Sequence, residues 1–149
     1  MNLAKALKTK SRLAQKIAQL QNDIQQHNSV PADKERKIDV TTMMTDLETA
    51  VNDLVRLKLT IFVASTPVRE TILRLAEVKS RVSFLKGIDT HEGKGKESDS
   101  YRFDNLTDID FAVEFDILWQ RAEILKCEEI IDSMQDELDR FNHKTEIEF

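Results

Sequence analysis

The sequence predicts a mainly helical protein: an elongated four-helix bundle, or coiled-coil-like hairpins, with a small β-hairpin inserted before the last helix. Three observations carry this. Apolar residues recur at steps of three and four through four long stretches. Only three glycines and two prolines occur in 149 residues, too few turn formers for an all-β sandwich. One segment, just before the last helical stretch, alternates with a period of two instead. The composition, 40% apolar and 33% charged, supplies enough apolar surface to offset chain entropy, which excludes wholesale disorder and collagen- or mucin-like chains. The length fits one helical domain over 1–149.

The first helix is expected over about 3–28, with Leu3, Leu7, Leu13, Ala14, Ile17, Leu20 and Ile24 on one face. Pro31 closes it, because the residue before proline is pushed out of helical geometry. Residues 32–37 are polar and read as a connector. The second helix, about 41–64, places Met44, Leu47, Val51, Leu54, Leu57 and Ile61 on its buried face. Ser65-Thr66-Pro67 stops that helix and starts the next, Thr66 as cap and Pro67 in the first turn. So short a link favours an antiparallel pair. The third helix, about 67–86, carries Val68, Ile72, Leu75, Val82 and Leu85, and Gly87 supplies a left-handed cap.

Residues 87–100 hold all three glycines and no periodicity, which reads as a mobile loop. A β-hairpin is expected over about 101–117: Tyr101 and Phe103, a turn at Asp104-Asn105, then Ile109, Phe111, Val113, Phe115 and Ile117 in alternation with polar residues. An isolated hairpin is marginal in water and must pack on helices or on another chain. The last helix, about 118–142, has the cleanest stripe: Ile124, Cys127, Ile131, Met134, Leu138 and Phe141. Leu118, Ala122, Leu125 and Ile130 widen it, as for a helix with several neighbours. Trp119 anchors its start.

The net charge of −5 divides unevenly along the chain. Residues 1–30 hold Lys5, Lys8, Lys10, Arg12 and Lys16 against Asp23 alone, whereas residues 104–149 hold four basic and fourteen acidic side chains. Complementary charge favours the first and last helices as neighbours. The other use of the basic row is a nucleic-acid or anionic surface. Without interleaved aromatics, and in a chain of acidic net charge, nucleic acid is the disfavoured partner.

Chemistry-bearing patterns are sparse. No glycine-rich phosphate loop or nucleophile elbow is present, and His27, His91 and His143 are far apart. Asp89, His91 and Glu92 lack the spacing of a calcium loop and make a poor zinc set. His143 and Glu146 stand three apart after a helix end, weak grounds for catalysis. Cys127, the single cysteine, falls in an apolar stripe and reads as packing; it rules out an intrachain disulfide. No catalytic, metal or cofactor residues are assigned, and no cofactor is expected. No window reaches about 20 consecutive apolar residues, the length of a membrane span. The start of the chain lacks a signal-peptide pattern, so a soluble, cytoplasmic protein is expected.

Several strings together resemble a family of small bacterial proteins of uncharacterised function, some of them labelled septicolysin-like. They are Met1-Asn2-Leu3-Ala4-Lys5-Ala6-Leu7 with Leu13, Ala64-Ser65-Thr66-Pro67-Val68, Leu75 to Ser80, Phe84-Leu85-Lys86, and Leu138 through Ile147. Many relatives have Trp where this chain has His143. The resemblance implies a helical fold of unknown role and supplies no catalytic residues.

The functional expectation is a structural or interaction module acting as a homo-oligomer, with a dimer favoured, because contiguous apolar stripes on helices of unequal length are hard to bury within one chain. The alternatives are nucleic-acid or anionic-surface binding through Lys5, Lys8, Lys10, Arg12 and Lys16, and a metal-dependent enzyme centred on His91 or His143.

Overall fold

Asn2 starts the first helix: its side-chain oxygen accepts from the Lys5 amide at 3.0 Å, satisfying one of the orphan donors of the first turn. The computed structural model describes residues 1–98 and 106–149. They form four α-helices and a two-stranded antiparallel hairpin placed before the last helix. The helices are α1 (Leu3–His27), α2 (Val40–Ala64), α3 (Arg69–Lys86) and α4 (Ile117–Lys144); the strands are β1 (Gly93–Ser98) and β2 (Leu106–Phe111). The chain folds as two compact units, one of Met1–Arg69 with Glu137–Phe149, the other of Glu70–Asp136. None of the described helices is long and apolar enough to cross a membrane.

In the first unit α1 and α2 pack antiparallel, since Leu57 and Ile61 near the end of α2 share a core with Leu3 and Ala6 at the start of α1. The connector between them is structural. Arg36 donates to the carbonyls of His27 at 2.8 Å and Asn28 at 3.1 Å, pairing groups that the end of α1 leaves free. Asp39 then caps α2, accepting from the Thr41 and Thr42 amides at 3.0 and 3.1 Å and from the Thr42 hydroxyl at 2.6 Å.

The Thr42 hydroxyl, joined by backbone amides and the charge of Arg36, holds the Asp39 carboxyl below the ordinary carboxylate range. A depressed folded-state pKa means the cap's contribution is complete above the unfolded value and is lost as pH falls through the folded one. An NMR titration of the Asp39 carboxyl is therefore expected to give a midpoint below that of a free aspartate, and Thr42→Val is expected to raise it. A midpoint at or above the free value contradicts this.

The buried face of α2 is Ala50, Leu57 and Ile61, with Met43, Leu47 and Leu54 half-buried; Met44 and Val51, expected inside, are exposed. The tail after α4 returns to α1. Leu3 N donates to Thr145 O and Ile147 N to Met1 O, both at 2.8 Å, and Ile147 joins the core beside Phe141. Ser65 ends α2, its hydroxyl bonding back to Ile61 O at 2.8 Å. A 3-10 turn over Thr66–Val68 follows, with Pro67 in its first positions. The Thr66 side chain does not cap that turn; its hydroxyl reaches back to Phe62 O.

In the second unit Val82, Leu85 and Cys127 are buried together, with Val78, Ile88, Trp119, Ile124 and Ile131 packed around them. The end of α3 meets the start of α4, so these segments also run antiparallel. Gly87 does not take the left-handed cap, since Gly93 is the one described residue with positive φ, at 91°. The end of α3 is closed instead by Gln120, buried on α4, whose amide donates to Leu85 O at 2.6 Å and Ile88 O at 3.0 Å.

The hairpin is shifted from its expected place. Its first strand lies inside the segment read as a loop, and its second ends at Phe111 rather than Ile117. Tyr101, Phe103 and the expected turn at Asp104-Asn105 lie outside the described residues. The Gly-Lys run of β1 has no apolar alternation; its register sets Lys94 opposite Asp110, a charge-matched pairing of the kind that stabilises neighbouring strands. At Gly95 a side chain would meet the Phe111 ring 2.6 Å away, so glycine admits the ring. The alternation beyond Phe111 serves the start of α4. Asp116 accepts from the Trp119 amide at 2.7 Å as a helix cap, and Phe115 stacks on Trp119 with ring centroids 4.2 Å apart.

Candidate functional site

Helical geometry turns Lys5, Lys8, Arg12 and Lys16 to one side of α1, all four exposed. Lys10 falls off that row and is half-buried. Among the described residues no ion pair involves Lys8, Lys10, Arg12 or Lys16. The start of α1 does meet the end of α4, but through Leu3, Ala6, Phe141 and backbone bonds. Exposed ion pairs contribute only about 0–1 kcal/mol, so apolar burial decides such a contact.

The titratable candidates are not brought together. Asp89 accepts from the His91 amide at 2.9 Å, closing a local turn, while the His91 ring meets Phe111 edge-on with centroids 5.2 Å apart. His143 Nδ1 lies 2.7 Å from Asp139 O within its own helix, and Glu146 faces the Met1 amino group at 3.3 Å. Among the described residues no three His, Cys, Asp or Glu side chains gather as metal ligands would. Cys127 is buried in the apolar cluster of the second unit. On α4 the Glu123 carboxyl is held below its ordinary range by Lys126, with Arg81 3.4 Å away contributing.

Concavities open to solvent occur in each unit. One, about 390 Å³, sits at the α1–α2 connection between His27, Val30, Pro31, Lys34 and Ile38, but its Arg36 is already committed to the end of α1. Another, about 470 Å³, lies in the second unit between Leu73, Val78, Ile130 and Met134. Its lining is mostly apolar and offers no convergent polar set of the sort that chemistry requires.

The most conspicuous surface is apolar. On α2, Met44, Val51, Val55, Leu59, Phe62 and Val63 are exposed, with Val55 and Phe62 at 60% and 56%. In the second unit Phe84, Leu118, Leu125 and Ile130 are exposed as well. Leu118, Leu125 and Ile130, expected to widen the buried stripe of α4, face solvent instead. Large apolar patches on a protein surface mark interaction sites. The periodicity places Met44 and Val51 on the buried face of α2, whereas the structure puts them on a second, exposed one. Its signal was available: from Val51 to Ala64 the helix has more apolar residues than one face can hold. Comparison with protein-family models, with curated proteins and with solved structures gives no match.

Proposed function

We propose that this chain is a structural or interaction module that works as a homo-oligomer, with a dimer as the basic state, in the cytoplasm. The observation that carries this is the exposed apolar surface of α2, laid out along a regular helix. Burying it removes apolar area from water at about 25 cal/mol per Å². No comparable observation supports chemistry at His91 or His143, which lie apart, each in its own local hydrogen bonds.

Light scattering or sedimentation equilibrium on the full chain at micromolar concentration is expected to give twice the 17.2 kDa chain mass. A species of single-chain mass at that concentration overturns the proposal.

A further inference from the structure

α2 carries two apolar rows. The first, Met43, Leu47, Ala50, Leu54, Leu57 and Ile61, is the face turned to the core of its unit. The second lies about 100° around the helix at 3.6 residues per turn. It runs Met44, Glu48, Val51, Val55, Lys58 and Phe62, at steps of four, three, four, three and four. That spacing is the heptad seam along which one helix packs on another. All six side chains are exposed, and Leu59 flanks the seam. The row spans about 27 Å at ~1.5 Å per residue, long enough for a helix–helix interface.

The two charges decide what fits. Laid parallel and in register on a second copy, the seam would stack Glu48 on Glu48 and Lys58 on Lys58. Laid antiparallel about Asp53, it sets Glu48 against Lys58 of the second copy, Val51 against Val55, and Met44 against Phe62. Two-fold symmetry repeats each of these layers. Every layer is then apolar on apolar or opposite charge on opposite charge, and no other register of α2 against itself matches both charges. Among the described residues neither Glu48 nor Lys58 makes an ion pair within the chain. Phe62 is already held for docking: the Arg69 guanidinium lies 3.9 Å from its ring centroid and donates to Phe62 O at 2.9 Å. A side chain ordered in advance loses less entropy on binding.

We infer that α2 packs antiparallel against α2 of a second copy, with Val51, Val55, Met44 and Phe62 as the apolar layers and the Glu48–Lys58 pairs as the register lock. The inference rests on the homo-oligomer proposed above and adds its surface, orientation and register. Half-buried ion pairs of this kind specify orientation more than they add affinity, because desolvation offsets much of their attraction. Reversing one of them sets like charges together at two layers, which is costly.

The experiment is sedimentation equilibrium of the full chain, comparing the unaltered protein with Glu48→Lys, Lys58→Glu and the double reversal. Glu48 and Lys58 are both exposed, so the helical fold is expected to survive, with circular dichroism as the check. Each single reversal is expected to weaken the dimer at least tenfold, and the double reversal to restore it to within about threefold. A parallel dimer behaves differently: single reversals leave it unchanged, because like charges meet like before and after. A dimer insensitive to the single reversals, or not rescued by the double, overturns the α2 assignment while leaving the homo-oligomer standing. A monomeric unaltered chain overturns both.

Discussion

Leu57→Ala is expected to destabilise the first unit by about 2–5 kcal/mol, the range measured for removing a fully buried leucine side chain and leaving a cavity. Leu57 is 0% exposed and sits between Leu3, Ala6, Ile61 and Ile147. Three chain segments meet there: the start of α1, the end of α2 and the tail after α4. None of them can close the space alone, because Leu3 and Ile147 are tied to each other's neighbours by backbone bonds at 2.8 Å. Urea unfolding followed by circular dichroism measures the loss. Leu125→Ala is the comparison, since Leu125 is 57% exposed and a surface change of this type falls within about 0.5 kcal/mol. Equal shifts for the two variants would contradict the assignment of the core.

Gln120→Met is expected to cost about 0.5–1.5 kcal/mol for each of the two hydrogen bonds it removes. The substitution keeps the length of the side chain and removes its NH₂ group, which serves both Leu85 O and Ile88 O. Leu85 lies in the apolar cluster with Val82 and Cys127, so its carbonyl has little access to water. The expected local signature is faster amide exchange at Gly87 and Ile88, whose own backbone bonds to Phe84 and Leu85 close the last turn of α3. An unchanged unfolding midpoint together with unchanged exchange would show that Gln120 does not hold the end of this helix.

Gln120 also shows where legibility in the sequence stops. The helix end at Lys86 was readable from the glycine that follows it, but the capping device was not. Gly87 is a plausible left-handed cap by local rules, and a side chain 33 residues further on removes the need for one. Asp39, Asn2 and Asp116 act locally, and their caps follow from residue type and position. Arg36 resembles Gln120: within a polar run it gives no sign that it will reach back to His27 and Asn28.

The hairpin was half legible. Ile109 and Phe111 signalled β2 through alternation, but β1, Gly-Lys-Gly-Lys-Glu-Ser, has no apolar period to read. What recommends it as a strand is the partner across from it, with Asp110 opposite Lys94, a property of the pair and not of either segment. The alternation through Val113, Phe115 and Ile117 matched a strand equally well, yet it serves a helix start in which Phe115 stacks on Trp119.

By itself the sequence determined the local architecture: four helices within one or two residues of their ends, the interposed hairpin, and the stripe of α4 from Ile124 to Phe141. Periodicity, caps and the scarcity of glycine act over a few residues, so they are written into a short window. Only the tertiary structure decided which of two apolar rows on α2 is buried, that Ile147 returns to cover Leu3, and that Phe141 of α4 packs on the core at the start of α1. A helix with two apolar faces gains from burying either, and the choice belongs to whatever surfaces the rest of the chain brings against it. α1 takes one face of α2 and leaves the other in water.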